Sequence, residues 1–352
     1  MPRKRKRDGQ VCTPKDVPKS ARKLKNADIY RLLGKMKYLS NQEVEELLCP
    51  KGFTMWAKIV SAIENAFLDT SADMVPKIYL EGKRGDFRAM PAALKSFAAV
   101  KWIGVFPDNW EIPVPTTNGS LILSDRHTGV PLIGMDCTTL TAYRTAATSA
   151  IAAKYCAPEA KEFAIIGCGL QAQYHIEAYE AVCVNHMNLS VELYDKNKQA
   201  QKDLMNWLGR ENICYAYGRN ESVKQAVQHA DVVTTLTPSR TPYLDIHDIK
   251  SNCHINAVGA DAVGKRELMT NIIDGSADII ADDPDQAFHS GELQYSEWPH
   301  LDTSSMQDLI KNHGTMQLNK GVSVFDSTGV AIEDIAVAIL VWNLHKGYDK
   351  NE

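Results

Sequence analysis

Four cations and one acid stand in unusual surroundings. Lys77, Arg88 and Lys101 each lie in or beside an apolar, strand-like stretch. Arg144 interrupts a helix-like run of Ala and Thr, residues 138–155. A cation on an apolar face costs free energy unless it is paired. Two or more converging on one cleft would bind a carboxylate, and arginine can do so through two parallel hydrogen bonds. Taken singly, each could instead face water or a structural acid. Asp261 follows an apolar stretch and lies between Gly259 and Gly264. A carboxylate there could move protons beside a bound ligand, or could simply shape a turn.

A second set of residues speaks of phosphate. Phe163-Ala164-Ile165-Ile166 reads as a buried strand and runs into Gly167-Cys168-Gly169-Leu170-Gln171-Ala172. A helical stretch, Gln173 to Val182, follows. This is Gly-x-Gly-x-x-Ala in the order strand, turn, helix, the dinucleotide fingerprint in its required context. Gly167 permits the tight turn, Gly169 lets backbone approach a pyrophosphate, and Ala172 lets helix and strand pack closely. The helix N-terminus offers free N–H groups to that anion. Asp195 ends the next strand-like run, Leu189 to Tyr194, where an acid binds ribose hydroxyls and disfavours a 2′-phosphate. The pattern therefore points to NAD, with Lys196 and Lys198 as nearby cations able to accept a phosphate.

These residues need a frame to bring them together. Strand-like runs at 163–167, 189–194, 213–217, 231–236, 254–258, 278–282 and 323–327 alternate with helical stretches. That alternation predicts a doubly wound parallel sheet of Rossmann type. Ligands in such sheets sit beyond the carboxyl ends of the strands. Thr237-Pro238-Ser239 and Val258-Gly259 lie there, as does Asp261. The earlier part reads differently. Helices are expected at 42–48, capped by Ser40 and Glu43, and at 55–67. Strands are expected at 77–81, 86–91, 99–105, 121–125 and 131–136, the last two around the turn 126–129. This is an α+β unit with much antiparallel pairing. An apolar helix at 331–344 should pack back onto it or across a dimer interface. The expected division is a basic tail, 1–37; a substrate-binding and dimerisation domain, 38–150 with 328–352; and a nucleotide-binding domain, 151–327.

Residues 1–37 hold 13 Lys or Arg against 3 acids, and the rest holds 26 against 40. The body is acidic and the tail basic. Pro2-Arg3-Lys4-Arg5-Lys6-Arg7 lacks the apolar core of a secretory signal and reads as a solvated tail. The sharper readings are nuclear import or a nucleic-acid contact. A basic helix is conceivable over 20–37. No apolar run is long enough to span a bilayer. Eight scattered cysteines form no Cys-x-x-Cys pair and have no His cluster beside them, so neither a metal site nor a disulfide scaffold is expected. A reducing, cytoplasmic setting is the plain reading.

Taken together, Arg88-Ala89-Met90-Pro91, the run Leu140–Ala147 containing Arg144, Gly167–Ala172, Asn256–Leu268 containing Asp261, and Phe325–Gly329 resemble the ornithine cyclodeaminase/mu-crystallin family. That family also contains archaeal-type alanine dehydrogenases and imine reductases. The similarity runs from about residue 40 to 347, outside the tail. It implies a homodimer, a Rossmann domain and a second domain that binds substrate and dimerises. By motif it places Lys77, Arg88, Lys101 and Arg144 around a substrate carboxylate and reacting carbon. Asp261 matches the catalytic aspartate, and Lys101 is the other candidate to carry a proton. Thr145 joins Gly167, Gly169, Leu170, Gln171, Ala172, Asp195, Thr237, Pro238, Ser239, Val258, Gly259 and Asp261 as implied cofactor contacts.

The chemistry the resemblance implies is hydride transfer between an amino acid Cα and nicotinamide, through an imine. Phe87–Pro91, Lys101-Trp102 and Thr237–Arg240 are closer to the alanine dehydrogenase branch. Lys77 stands where cyclodeaminases resemble one another in having Arg, which weighs against ornithine cyclisation. The expected activity is NAD-dependent oxidation of a small L-amino acid. The alternatives are ornithine cyclodeaminase, a ketimine reductase, and a mu-crystallin-like NAD(P)H-dependent binding protein without catalysis.

Overall fold

The computed structural model describes residues 36–49, 54–183, 189–211, 216–296, 302–312 and 321–348. The run Pro2–Arg7 lies outside them, as does nearly all of the stretch read as a basic helix. Lys37, at its end, belongs to a strand instead.

Two sheets organise the chain. The first contains β1 (Lys37–Leu39), β2 (Asp73–Met74), β3 (Ile78–Glu81), β4 (Asp86–Leu94), β5 (Phe97–Val105), β6 (Thr117–Asp125) and β7 (Pro131–Asp136). Their order is β1-β7-β6-β5-β4-β2, with β3 also on β4. Every pairing is antiparallel except β1 with β7. β4 and β5 are longer than the sequence suggests. They meet in a turn at Lys95, whose φ of 52° is left-handed. No Gly or Asn marks that turn, which is why it escapes a reading by composition. Alternation along the hairpin puts Arg88 and Met90 of β4 on one face with Lys101 and Ile103 of β5.

The second sheet is wholly parallel: β8 (Glu162–Ile166), β9 (Ser190–Tyr194), β10 (Ala216–Arg219), β11 (Val232–Thr235), β12 (His254–Ala257), β13 (Asp278–Ala281), β14 (Ser304–Ser305) and β15 (Ser323–Asp326). The order is β10-β9-β8-β11-β12-β15-β13-β14. The strand expected at 213–217 lies at 216–219 instead, where it pairs with β9; residues 212–215 lie outside the described residues. The order reverses between β8 and β11, so the crevice of a doubly wound sheet opens beside the Gly167–Gly169 turn.

Helix α1 (Asn41–Leu48) packs on β1 and β7 of the first sheet, α2 (Thr54–Leu68) packs on the helices that follow it, and α3 (Thr138–Cys156) joins the two sheets. Every residue of α3 from Thr139 to Ala153 is buried. Small side chains on all sides let it run between β6 on one side and β12 and β15 on the other. α4 (Leu170–Val182) packs against it and starts three residues earlier than its sequence suggests, because Gly169 is its N-cap. The closing helix, Ala331–Lys346, leaves β15 and lies against α2, α3, β4 and β5. It thus packs back onto the first sheet, one of the two outcomes its apolar composition predicts.

Candidate active site

A cavity of about 460 Å³ lies between the sheets. β4 and β5 supply Arg88, Met90, Lys101, Ile103 and Val105, and α3 supplies Arg144 and Thr145. The start of α4 supplies Gly169, Leu170 and Gln171. The strand ends supply Thr237, Pro238, Val258 and Gly259, and loops add Lys77, Asp261, Lys265 and Ser327–Gly329.

Four residues expected at the site do not line this cavity, each for a local reason. Gly167 makes the turn at φ 103°, and a Cβ on it would meet the Leu236 backbone at 3.0 Å. Ala172 is fully buried on α4. Asp195 braces the loop: its Oδ2 accepts the Cys168 N–H at 2.8 Å and its Oδ1 the Asn197 N–H at 2.7 Å. Ser239 shapes its own turn, donating to the Thr241 carbonyl at 2.7 Å.

The remaining features fit a dinucleotide. A Cβ on Gly169 would meet nothing within 4 Å, so the approach to the turn is open. No side chain caps α4, which leaves its first N–H groups for an anion. Gln171 Oε1 is buried and has no partner among the described residues. Lys198 is held by Glu221 at 3.1 Å and by the Asn220 carbonyl at 3.3 Å. Glu267, absent from the sequence reading, knits the floor together. It accepts the Thr237 N–H at 2.7 Å and the Gly259 N–H at 2.9 Å, so it ties the end of β11 to that of β12.

The cations differ in how they are held. Lys101 is sealed from solvent with Nζ 2.7 Å from Asp334. Burial lowers its pKa against the pull of that acid. Arg144 lies 2.5 Å from Glu333 and within ion-pair distance, 3.2 Å, of Asp334. Its guanidinium passes so close to Gly329 that a Cβ there would lie 2.5 Å from Nη1. Arg88 sits between two acids, 2.6 Å from Asp86 and 2.6 Å from Asp261. Burial disfavours its charge, but the two carboxylates outweigh that and keep it protonated.

Lys77 is unlike the other three, because it makes no ion pair with a carboxylate among the described residues. Its Nζ donates to the carbonyls of Thr328 and, at 3.3 Å, Asp261. Burial, and then the neighbouring Arg88, pushes its pKa down to about 7. Asp261 is the converse case. Burial opposes its charge, yet Arg88, Lys265 and Lys77 hold its carboxyl well below the usual range. Lys265 Nζ lies 2.6 Å from Asp261, four residues on in sequence. Asp282, also missed, anchors the strand-end loop by accepting the Thr328 hydroxyl at 2.8 Å and the Gly329 N–H.

The sequence profile of the ornithine cyclodeaminase/mu-crystallin family matches residues 39–348. The chain belongs to that family. It is 35% identical to alanine dehydrogenase of Archaeoglobus fulgidus, over 86% of this chain and 93% of that protein. It is 32% identical to ornithine cyclodeaminase of Agrobacterium fabrum, over 76% of this chain and 74% of that protein. A solved archaeal alanine dehydrogenase dimer with bound NAD superposes with a TM-score of 0.79 at 33% identity, covering 90% of this chain and 98% of that one. A Δ1-pyrroline-2-carboxylate reductase of Thermococcus litoralis, in complex with NADH and L-proline, gives 0.80 at 26% identity, covering 90% and 100%.

Within this family member, no group of three or more His, Cys, Asp or Glu among the described residues is placed to hold a metal ion. No described helix is long and apolar enough to cross a membrane. The residues missed by sequence fall into two kinds. Lys265 stands in the same motif as Asp261, four residues on in a non-helical turn, so its place in that motif was the usable signal. Glu333 and Asp334 look like ordinary helix-start acids, and nothing local marks them as partners of Arg144 and Lys101.

Proposed function

We propose that the chain is an NAD-dependent oxidoreductase working at the Cα–N bond of a small L-amino acid through an imine. The reaction is reversible oxidative deamination to a 2-oxo acid and ammonia, most like that of alanine dehydrogenase. The observation that carries this reading is one shared space: Lys77 and Arg88 line the same cavity as Gly169 and Gln171 at the open start of α4. A carboxylate and a pyrophosphate could be held there side by side.

Leu170, Gln171 and the α4 N-terminus would hold the pyrophosphate of NAD, and Asp195 would bind its ribose. Thr145, Thr237, Pro238, Val258 and Gly259 line the same cavity and would hold the rest of the cofactor. Bound there, NAD supplies the two-electron redox step at the substrate Cα. Lys77 and Arg88 hold the substrate carboxylate, and Asp261 exchanges a proton with the amine or an attacking water. Lys101, tied to Asp334, is the second group able to carry that proton. Arg144 orders the back of the site through Glu333.

The cavity wall also bears on the substrate. Met90, Ile103, Val105 and Pro107 are apolar, and Asp261 is the only acid among the described lining residues. No second carboxylate there awaits a side-chain ammonium, which favours a small uncharged side chain over ornithine. The 32% identity to an ornithine cyclodeaminase, over 76% of this chain, supports cyclisation as the second reading. The outer face of the first sheet exposes Ile78, Val100, Trp102 and Ile122, and we assign it to a homodimer contact. Incubation with NAD and single L-amino acids separates the readings. Net NADH formation marks a dehydrogenase. Ammonia release without net NADH marks a cyclodeaminase. Tight NADH binding with neither would replace both by a binding role.

A further inference from the structure

Arg88 and Asp261 reach the cavity from opposite sheets. Arg88 lies on β4, and Asp261 follows β12, 173 positions later. Nη1 of Arg88 donates to Asp261 Oδ2 at 2.6 Å, and Nη2 lies 3.4 Å from Oδ1. The other side of the guanidinium is held by Asp86, two residues away on the same strand. Asp261 lines the cavity and Asp86 does not. An incoming carboxylate that takes two donors from Arg88 must therefore displace Asp261.

Two features let the Asp261 side chain change partner while its loop stays docked. Its backbone carbonyl accepts from Tyr79 Oη at 3.0 Å and from Lys77 Nζ at 3.3 Å. Its carboxylate keeps a second cation, Lys265, at 2.6 Å. The Asp261 side chain is 28% exposed, so it has room to move.

We propose that the Arg88–Asp261 pair is a substrate-operated latch: the substrate carboxylate takes the place of Asp261 on Arg88 and so releases Asp261 to exchange a proton with the substrate amine. The proposal rests on the reading of the cavity as an amino acid site. Before substrate arrives, Asp261 is neutralised between Arg88 and Lys265 and is a poor base. Once displaced it keeps Lys265 as its one directly bonded cation, a positioning residue that holds the carboxylate beside the cavity. A ligand without a carboxylate leaves the latch closed, so the base is uncovered only when an acid substrate is seated. The pair also joins the two sheets, so its opening loosens one contact across the cleft.

The latch predicts that the wild-type protein holds its own competitor for the substrate carboxylate. Propanoate, which has a carboxylate and no amine, is the probe. Its binding to the NADH-loaded protein is measured by calorimetry, which needs no turnover. Asp261→Asn and Asp261→Ser should bind propanoate about fivefold to tenfold tighter than wild type, the scale of releasing one partly exposed ion pair. Using two variants guards against one of them folding poorly. Asp86→Asn removes a charge from the same guanidinium without uncovering its cavity side, and should gain no more than about twofold. Equal gains in the Asp86 and Asp261 variants, or no gain in the latter, overturn the latch and leave the dehydrogenase reading standing. Failure of the wild type to bind propanoate overturns the carboxylate site and the latch together.

Discussion

Arg144 Nη1 lies 2.5 Å from Glu333 Oε2, joining α3 to the closing helix across 189 positions of sequence. The Nε of the same guanidinium is 3.2 Å from Asp334, which also takes Lys101 Nζ at 2.7 Å. Two cations and two acids thus form one buried cluster, with Lys101 and Arg144 in the cavity wall and the acids behind them. Breaking such a cluster leaves an uncompensated charge in a poorly solvated place.

Arg144→Ala should therefore lower stability by roughly 3–5 kcal/mol, the usual cost of leaving one buried partner alone. Denaturant unfolding measures it. Burial pushes Glu333 up to about 7 even beside Arg144, so without Arg144 it should take a proton when folded. The folded variant then binds more protons than the unfolded chain, and its stability falls as pH rises. The variant should be closer to wild type at pH 6 than at pH 9, and adding Glu333→Gln should remove most of that difference. A small, pH-independent loss would mean that Arg144 is available to substrate instead.

Among the described residues Lys77 has two carbonyl partners and no carboxylate, so the substrate should complete its pairing. With its pKa near 7 in the free protein, Lys77 loses its proton as pH rises through that value. Its contribution to kcat/KM should fall over the same range, since that quantity reports the free enzyme. Lys77→Arg stays charged and should lose this alkaline limb. Lys77→Met should raise KM tenfold or more, by about 1.5–3 kcal/mol for a lost charge-assisted bond, with NADH affinity unchanged. An alkaline limb that persists in Lys77→Arg belongs to another group.

The two glycines of the turn should fail in different ways. Gly167 has φ of 103° and backbone at 3.0 Å, so Gly167→Ala should cost of order 1–3 kcal/mol of stability. Gly169 has φ of −82° and open space, so Gly169→Val should melt within a few degrees of wild type. The added side chain would fill the path of a pyrophosphate, and NADH binding should be lost. Thermal melts and NADH fluorescence titration separate the two. Normal NADH binding by Gly169→Val would exclude this turn as the dinucleotide site.

Asp195 has both oxygens on backbone N–H groups, so it supports the turn and also presents negative charge beyond it. Asp195→Ser should weaken NADH binding and improve NADPH relative to NADH by about tenfold, as repulsion of a 2′-phosphate is removed. Dissociation constants for both nucleotides, with a melt to follow the loop, provide the check. Tighter NADPH than NADH binding by the wild type would reverse the assignment at once.

What the sequence determined was local. Gly167–Ala172 is legible because a tight turn, a close backbone approach and a helix start each demand a residue type at a fixed spacing. The hairpin around Gly129 and the Ala- and Thr-rich helix over 138–155 are legible for the same reason: turn chemistry and side-chain size act over a few residues. Lys77, Arg88, Lys101 and Arg144 stood out because a charge in an apolar stretch needs a partner. Which partner each takes was decided only by tertiary structure. Strand β15 inserts between β12 and β13, and that placement carries the closing helix, with Glu333 and Asp334, back under α3 and β5. Arg88 meets Asp261 only because two sheets face each other across one cavity. Ion pairs of this range form between groups that share no local periodicity. Their cost and gain depend on how far packing removes water around them, and a single stretch of chain does not contain that information.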